Sequence, residues 1–175
     1  MVNKDELLLV VDENNNPISS KPRYEVHSNG YWHRVSHIWI VNNKKEFLCQ
    51  KRSLLKDKAP GAWEAFFGGH VSPRMEYIDC AITEIKEELG LSLDDKNLHF
   101  WKIFKNKPAN EFQGVFVYRW DGDIDSIKFE VEEMDQIKWF DFEEIKKLLL
   151  SSEDNNWTKM GYTKDLLNFI FPSGI

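Results

Sequence analysis

Glu84, Glu87 and Glu88 fall within five positions of "EIKEELG", and a pair of glycines, Gly68 and Gly69, stands shortly before them. Residues 84 and 88 are four apart and residues 84 and 87 three apart, so on a helix all three project from neighbouring turns on one side. Ile78, Ile82, Ile85 and Leu89 recur at steps of four, three and four. That spacing predicts such a helix, with its apolar stripe on another side. Gly90 stands where a C-capping glycine belongs. Like charges at these spacings repel by roughly a few tenths of a kcal/mol per pair. A divalent cation resolves the repulsion. Mg²⁺ prefers oxygen ligands, keeps several waters and is commonly shared with substrate phosphates. Gly68 and Gly69 end a predicted strand and let backbone approach a ligand closely, with a freed carbonyl available to join the carboxylates. An acidic triplet alone also fits a solvated helix face of good propensity. The strand, the double glycine, the loop and the terminal glycine around it turn the reading toward a metal site.

The elements that must hold these residues follow from local pattern. "ELLLVVD" (6–12) is a short apolar run ended by the turn "ENNNP", and "ISSKPR" (18–23) can return as its hairpin partner. "YEVHSNGYWH" (24–33) breaks pattern at Asn29-Gly30. "RVSHIWIVNN" (34–43) and "EFLCQKR" (46–52) read as a second hairpin. "LLKDKAPGAW" (54–63) is a loop, and "EAFFGGHV" (64–71) a strand running into the glycines. Further strands are predicted at 98–104, 112–120 and 136–142, and helices at 142–151 and 162–171. Strands outnumber helices, and helices fall in the middle and at the end. The pattern predicts an α/β or α+β fold, a three-layer α/β/α sandwich about a mixed sheet. No repeat, low-complexity tract or dividing linker interrupts residues 1–175, which read as one domain.

Bulk properties narrow the function. Hydrophobic residues make up 42% and charged residues 30%, as in a soluble globular protein. A net charge of −6 and a pI near 5.4 disfavour a general nucleic-acid binder, but leave room for a small anionic substrate met through a metal or a few basic side chains. Cys49 and Cys80 are too few for a disulfide framework and are expected to be reduced and buried. No apolar run approaches the ~20 residues that span a bilayer. "MVNKDELLLVV" is not patterned as a signal peptide, and the internal "KDEL" is not a retention signal. A cytoplasmic location is the expectation, in which the sequon Asn156-Trp157-Thr158 would not be glycosylated.

The spacing resembles a family. "G…EIKEELGL" is similar to the signature of the Nudix (MutT-type) hydrolases. Gly69 takes its first place, and Glu84, Ile85, Glu87, Glu88, Gly90 and Leu91 take its last run in register. The flanks "QKRS…KDKAPGAWE…GGHV" (50–71) and "EEMDQIKWFDFEEI" (132–145) are similar to the branch near isopentenyl-diphosphate isomerase. The likeness runs from about residue 6 to residue 150. Two positions depart from the pattern. Met75 stands for the first signature glutamate, with Glu76 beside it, and Thr83 stands for the arginine. In the family those two positions commonly pair, and losing both strands no buried charge.

The resemblance implies a Nudix fold and attack of a metal-activated water on a diphosphate linkage, in a nucleoside diphosphate derivative or a similar small metabolite. It implies Mg²⁺ or Mn²⁺ held by Glu84, Glu87, Glu88 and the carbonyl of Gly68. Glu84, Glu88 or a glutamate outside the box would act on water, and Glu133 is the outside candidate. Its plainer reading is an exposed loop acid. Lys51 and Arg52 can meet substrate phosphates or simply end a strand in solvent. Gly69 and His70 would complete the substrate contacts. His27, His33, His37 and His70 cluster around two segments. In the related isomerases histidines from such segments bind a metal, and a cysteine two places before the later histidine does acid–base work; here that place is Gly68. An allylic-diphosphate isomerase and a Nudix-fold binding module with weak turnover are therefore the competing readings. Trp63, Phe66 and Phe67 can stack on a base or fill a core. The tail at 160–171 packs on the body or, as the minority reading, forms a homodimer contact. Partners are expected to be a small diphosphate, with no stable nucleic-acid complex and no membrane.

Overall fold

A hairpin opens the structure, a computed structural model that describes residues 5–56, 58–153 and 156–172. The start of "MVNKDELLLVV", Asp57 of the 54–63 loop, positions 154–155 and the last three residues lie outside the described residues. Strands β1 (Leu7–Val11) and β2 (Pro17–Pro22) pair antiparallel, as the turn signal predicted. The Asp12 carboxylate accepts from the backbone N–H of Asn14 and Asn16, both at 2.8 Å, and so closes the turn. A helix that the pattern did not reveal, α1 (Arg23–Asn29), follows. It has seven residues and buries only Val26, too little apolar spacing to read as a period, and only its stop at Gly30 was legible.

The centre is β3 (His33–Val41), buried along its whole length. It runs parallel to β7 (Glu111–Arg119), from His33 opposite Glu111 to Val41 opposite Arg119. Strand β6 (Leu98–Asn106) pairs antiparallel with β7. Strand β4 (Glu46–Arg52) pairs with β8 (Met134–Asp141) and with the two-residue β5 (Trp63–Glu64). Together these make one mixed eight-stranded sheet. Its decisive irregularity lies between β3 and β4, which pair only at Ile40–Leu48 and Val41–Phe47. Beyond that point the segment carrying Phe67 and His70 lies against β3 instead, bridging Ile38 and Val35.

Helix α2 (Tyr77–Leu89) covers one face of the sheet, packing with Ile38, Ile40, Leu48, Phe112 and Phe116. Helices α3 (Phe142–Leu150) and α4 (Thr163–Ile170) cover the other, with Trp39, Val41, Phe47, Val115 and Val117. The α/β/α expectation holds, and alternation along β3 and β7 feeds both cores. Both cysteines are free and buried.

Two expectations are corrected. The strand expected over 64–71 is reduced to Trp63–Glu64 and isolated bridges. Phe66 packs into the core beneath α4 and Phe67 into the core beneath α2, so the segment threads the sheet rather than joining a ladder. The stripe of α2 is also displaced. Tyr77, Cys80, Ala81, Ile85 and Leu89 are buried, while Ile82 is half-buried and Ile78 is 43% exposed. At 100° per residue that rotation carries Glu84 and Glu88 onto the packed side of the helix and leaves Glu87 outside it.

Candidate functional site

The opening between β3 and β4 forms a cavity of about 910 Å³. Gly68 and Gly69 form one wall, and each is a glycine for a different reason. Gly68 has φ of +136°, and a Cβ there would overlap the carbonyl oxygen of Ser36. A Cβ on Gly69 would overlap the carboxylate of Glu84. Phe67 and Gly69 give their carbonyls to the N–H groups of Ile38 and Ser36, at 2.8 and 2.9 Å. The Gly68 carbonyl accepts no hydrogen bond among the described residues, and its N–H donates to Glu88 Oε2 at 3.2 Å.

Glu84 and Glu88 are half-buried in the same wall, and no lysine or arginine forms an ion pair with either among the described residues. Burial, then the charge of Glu87, pushes the Glu84 carboxyl up to about 7. Burial, then the charge of Glu84, pushes Glu88 well above the carboxylate range against the pull of the Gly68 N–H. Two carboxyls that resist ionisation on adjacent turns, at a glycine whose carbonyl is unpartnered among the described residues, are hard oxygen donors short of a cation. They fit a divalent ion such as Mg²⁺ or Mn²⁺. Glu87 also lines the cavity but is exposed. The oxygens of the three glutamates do not all come within 4.8 Å of one another.

The histidines do converge that closely. His27 from α1, His33 at the start of β3 and His70 place one ring nitrogen each within 4.8 Å of the others. His27 Nε2 lies 3.1 Å from His70 Nε2. The Nδ1–H of His33 donates to the Tyr31 carbonyl at 2.9 Å, which leaves Nε2 a bare lone pair, buried and without a hydrogen-bond partner, 3.8 Å from Glu111 Oε1. Burial first, then nearby positive charge, holds His27 down at about 4 and His70 well below the usual range. Three neutral imidazoles with a free lone pair suit a borderline transition-metal ion.

Most residues singled out in the sequence meet here. Gly68, Gly69, His70, Arg52, Glu84, Glu87, Glu88 and Glu133 all line the cavity. Lys51 does not; it lies in the ladder opposite Trp63 and Gln136. Glu133 is more than a loop acid, since it is ion-paired with Lys56 from the 54–63 loop. The Arg52 guanidinium donates to Glu64 Oε2 and to the Lys58 carbonyl, each at 3.0 Å. Met75, in place of the signature acid, is half-buried against the α2 core. Sequence reasoning passed over Arg23, Lys56 and Lys58, which give the cavity its positive side, and Gln50, Glu64 and Gln113, which give it a polar floor. The run "KDK" was a signal for the first group. Nothing local marks the second, because alternation assigns strand residues to a face and not to a gap in the sheet.

Residues 31–160 match the NUDIX domain family. The chain is 32% identical over 155 residues to an uncharacterized Nudix hydrolase of Clostridium acetobutylicum, covering 83% of this chain and 75% of that protein. It is 29% identical over 156 residues to isopentenyl-diphosphate Delta-isomerase 2 of Photorhabdus laumondii, covering 86% and 85%. A crystal structure from Deinococcus radiodurans superposes with a TM-score of 0.75 at 20% identity, over 95% of this chain and 99% of that one. A mixed sheet between helix layers, with a glycine-led acidic helix at its split, is the architecture of a Nudix-type hydrolase. The chain belongs to the NUDIX family and is an enzyme of that hydrolase kind.

Proposed function

We propose that the protein hydrolyses a diphosphate linkage in a nucleoside diphosphate derivative or a similar small metabolite, using Mg²⁺ or Mn²⁺. One observation carries this reading: Glu84 and Glu88 stand half-buried against the glycine pair, Glu88 accepting from the Gly68 N–H, with no lysine or arginine paired to either among the described residues. Glu84, Glu88 and the Gly68 carbonyl would hold the ion, with Glu87 reaching in from the rim. When bound, the ion lowers the pKa of water and offsets charge growing on the phosphoryl oxygens. The side chains supply the rest. Glu84 is the first candidate to accept the proton of attacking water. Glu133 is held by Lys56 and is the second candidate for that task. Arg52, Lys56, Lys58 and Arg23 face the cavity as a cationic side on which phosphates are oriented. His70 lines the same cavity.

An isomerase reading has the three-histidine cluster in its favour. The backbone at Gly68 counts against it. A cysteine there would need a side chain at φ +136°, directed at the Ser36 carbonyl, so the loop path itself excludes the residue. The two readings separate in one assay. A panel of nucleoside diphosphate derivatives is incubated with Mg²⁺, beside isopentenyl diphosphate and beside the Glu88→Gln variant. Formation of nucleoside monophosphate that falls at least about a hundredfold in Glu88→Gln supports the hydrolase. Undiminished turnover in that variant, or isomerisation without hydrolysis, rejects it.

A further inference from the structure

Part of the cavity lining is organised by a hydrogen-bond chain that the diphosphate chemistry does not use. Trp39 Nε1–H donates to the Tyr162 hydroxyl at 3.4 Å, and that hydroxyl lies 2.7 Å from His37 Nδ1. Tyr162 is 3% exposed, and its hydroxyl proton has no other acceptor in reach among the described residues. The proton therefore goes to Nδ1, and the imidazole carries its own proton on Nε2. The ring is 8% exposed, stacked on Phe66 at 4.3 Å between centroids, and lines the cavity. Burial holds it neutral, far below the usual histidine range at about 3. A fixed N–H donor thus faces the cavity at any pH where the fold is intact.

Two glutamines stand with it. The amide of Gln50 donates to the Phe66 carbonyl at 2.9 Å, and that of Gln113 donates to Glu111 Oε2 at 2.9 Å. Both residues are almost fully buried, both line the cavity, and the side-chain carbonyl of neither accepts a hydrogen bond among the described residues. One donor and two acceptors, each locked by a second hydrogen bond, form a rigid complement to a group that both accepts and donates. A hydrocarbon chain entering here would strip water from all three and return nothing.

We propose that His37, acting with the carbonyls of Gln50 and Gln113, is the specificity-determining set of this site. It reads hydrogen-bonding groups on the organic part of the substrate and selects a hydroxyl- or amide-bearing moiety over a hydrocarbon one. This rests on the diphosphate reading above and deepens it.

The test is calorimetry on the full chain with Mn²⁺, using methylenediphosphonate and the methylenediphosphonate analogues of uridine diphosphate and of dimethylallyl diphosphate. The uridine analogue is expected to bind at least about tenfold more tightly than the dimethylallyl one. His37→Phe keeps the stack on Phe66, and should erase roughly tenfold or more of that preference while methylenediphosphonate binds as before. Tyr162→Phe, which frees the tautomer, should move the ratio the same way by less. A dimethylallyl analogue that binds as tightly as the uridine one, or a ratio that His37→Phe leaves unmoved, overturns the assignment. Failure of methylenediphosphonate to bind counts against the diphosphate site instead. In that case uridine alone reads His37: binding that His37→Phe weakens supports the set, and no binding overturns it.

Discussion

Glu84 and His27 oppose each other in how they tie stability to pH. The Glu84 carboxyl titrates at about 7 in the metal-free fold against 4.5 unfolded, so between those values the folded state holds the extra proton. Stability from that group is complete below pH 4.5 and is lost as pH rises through 7. For His27 the folded value is about 4 against 6.5, so its contribution is complete above 6.5 and is lost as pH falls through 4. We expect Glu84→Gln to stabilise the metal-free protein, by a margin that grows between pH 5 and pH 8 in urea titrations with chelator. A margin that shrinks over that range would contradict the burial of this carboxyl. Manganese should reverse the ranking, raising the melting temperature of wild type and not of Glu84→Gln. For a chain of this length each kcal/mol gained is worth about 2–4 °C. That Glu84 and Glu88 share one side of a helix was legible from spacing, because a helix fixes the relation of residues three and four apart. Their burial was not, since it depends on which side of α2 meets the sheet.

The glycine pair shows how one short segment separates stability from binding. Gly68→Ala places a methyl against backbone, at a φ that alanine resists, and should cost about 2–4 kcal/mol by chemical denaturation. Gly69→Ala meets only the end of the Glu84 side chain, which can swing away. It should cost under about 1 kcal/mol in stability, yet weaken Mn²⁺ binding by roughly tenfold. Equal losses of stability in the two variants would show that the pair serves the backbone only. Double glycine was legible as a place of close approach. What it approaches was not, because Ser36 and Glu84 lie far from it along the chain. The 64–71 segment misled for a related reason. Its aromatic, β-favouring residues fit a strand, but Phe66 and Phe67 are drawn into opposite cores, and the tertiary demand overrides local propensity.

At the scale of the molecule, α4 joins the cavity to the second core. Leu166 and Leu167 are fully buried, and Tyr162 at the helix start holds His37. Leu166→Ala should cost about 2–5 kcal/mol by urea unfolding and, in the same variant, loosen ligand selectivity through Tyr162. A stability loss without any change in selectivity would separate the two roles. The described residues contain no helix long and apolar enough to cross a membrane.

Periods and turn residues within a few positions were enough for the local elements: two hairpins, the capped acidic helix, and a glycine pair at a place of close approach. Tertiary structure alone decided that His27 and His70, 43 residues apart, would touch, that Glu87 would face outward, and that Lys51 would stay in a ladder while Lys56 entered the cavity. The reason is the parting of β3 from β4. A strand's pattern says which face a residue takes, but only the packing of both cores against one sheet says where that sheet must open.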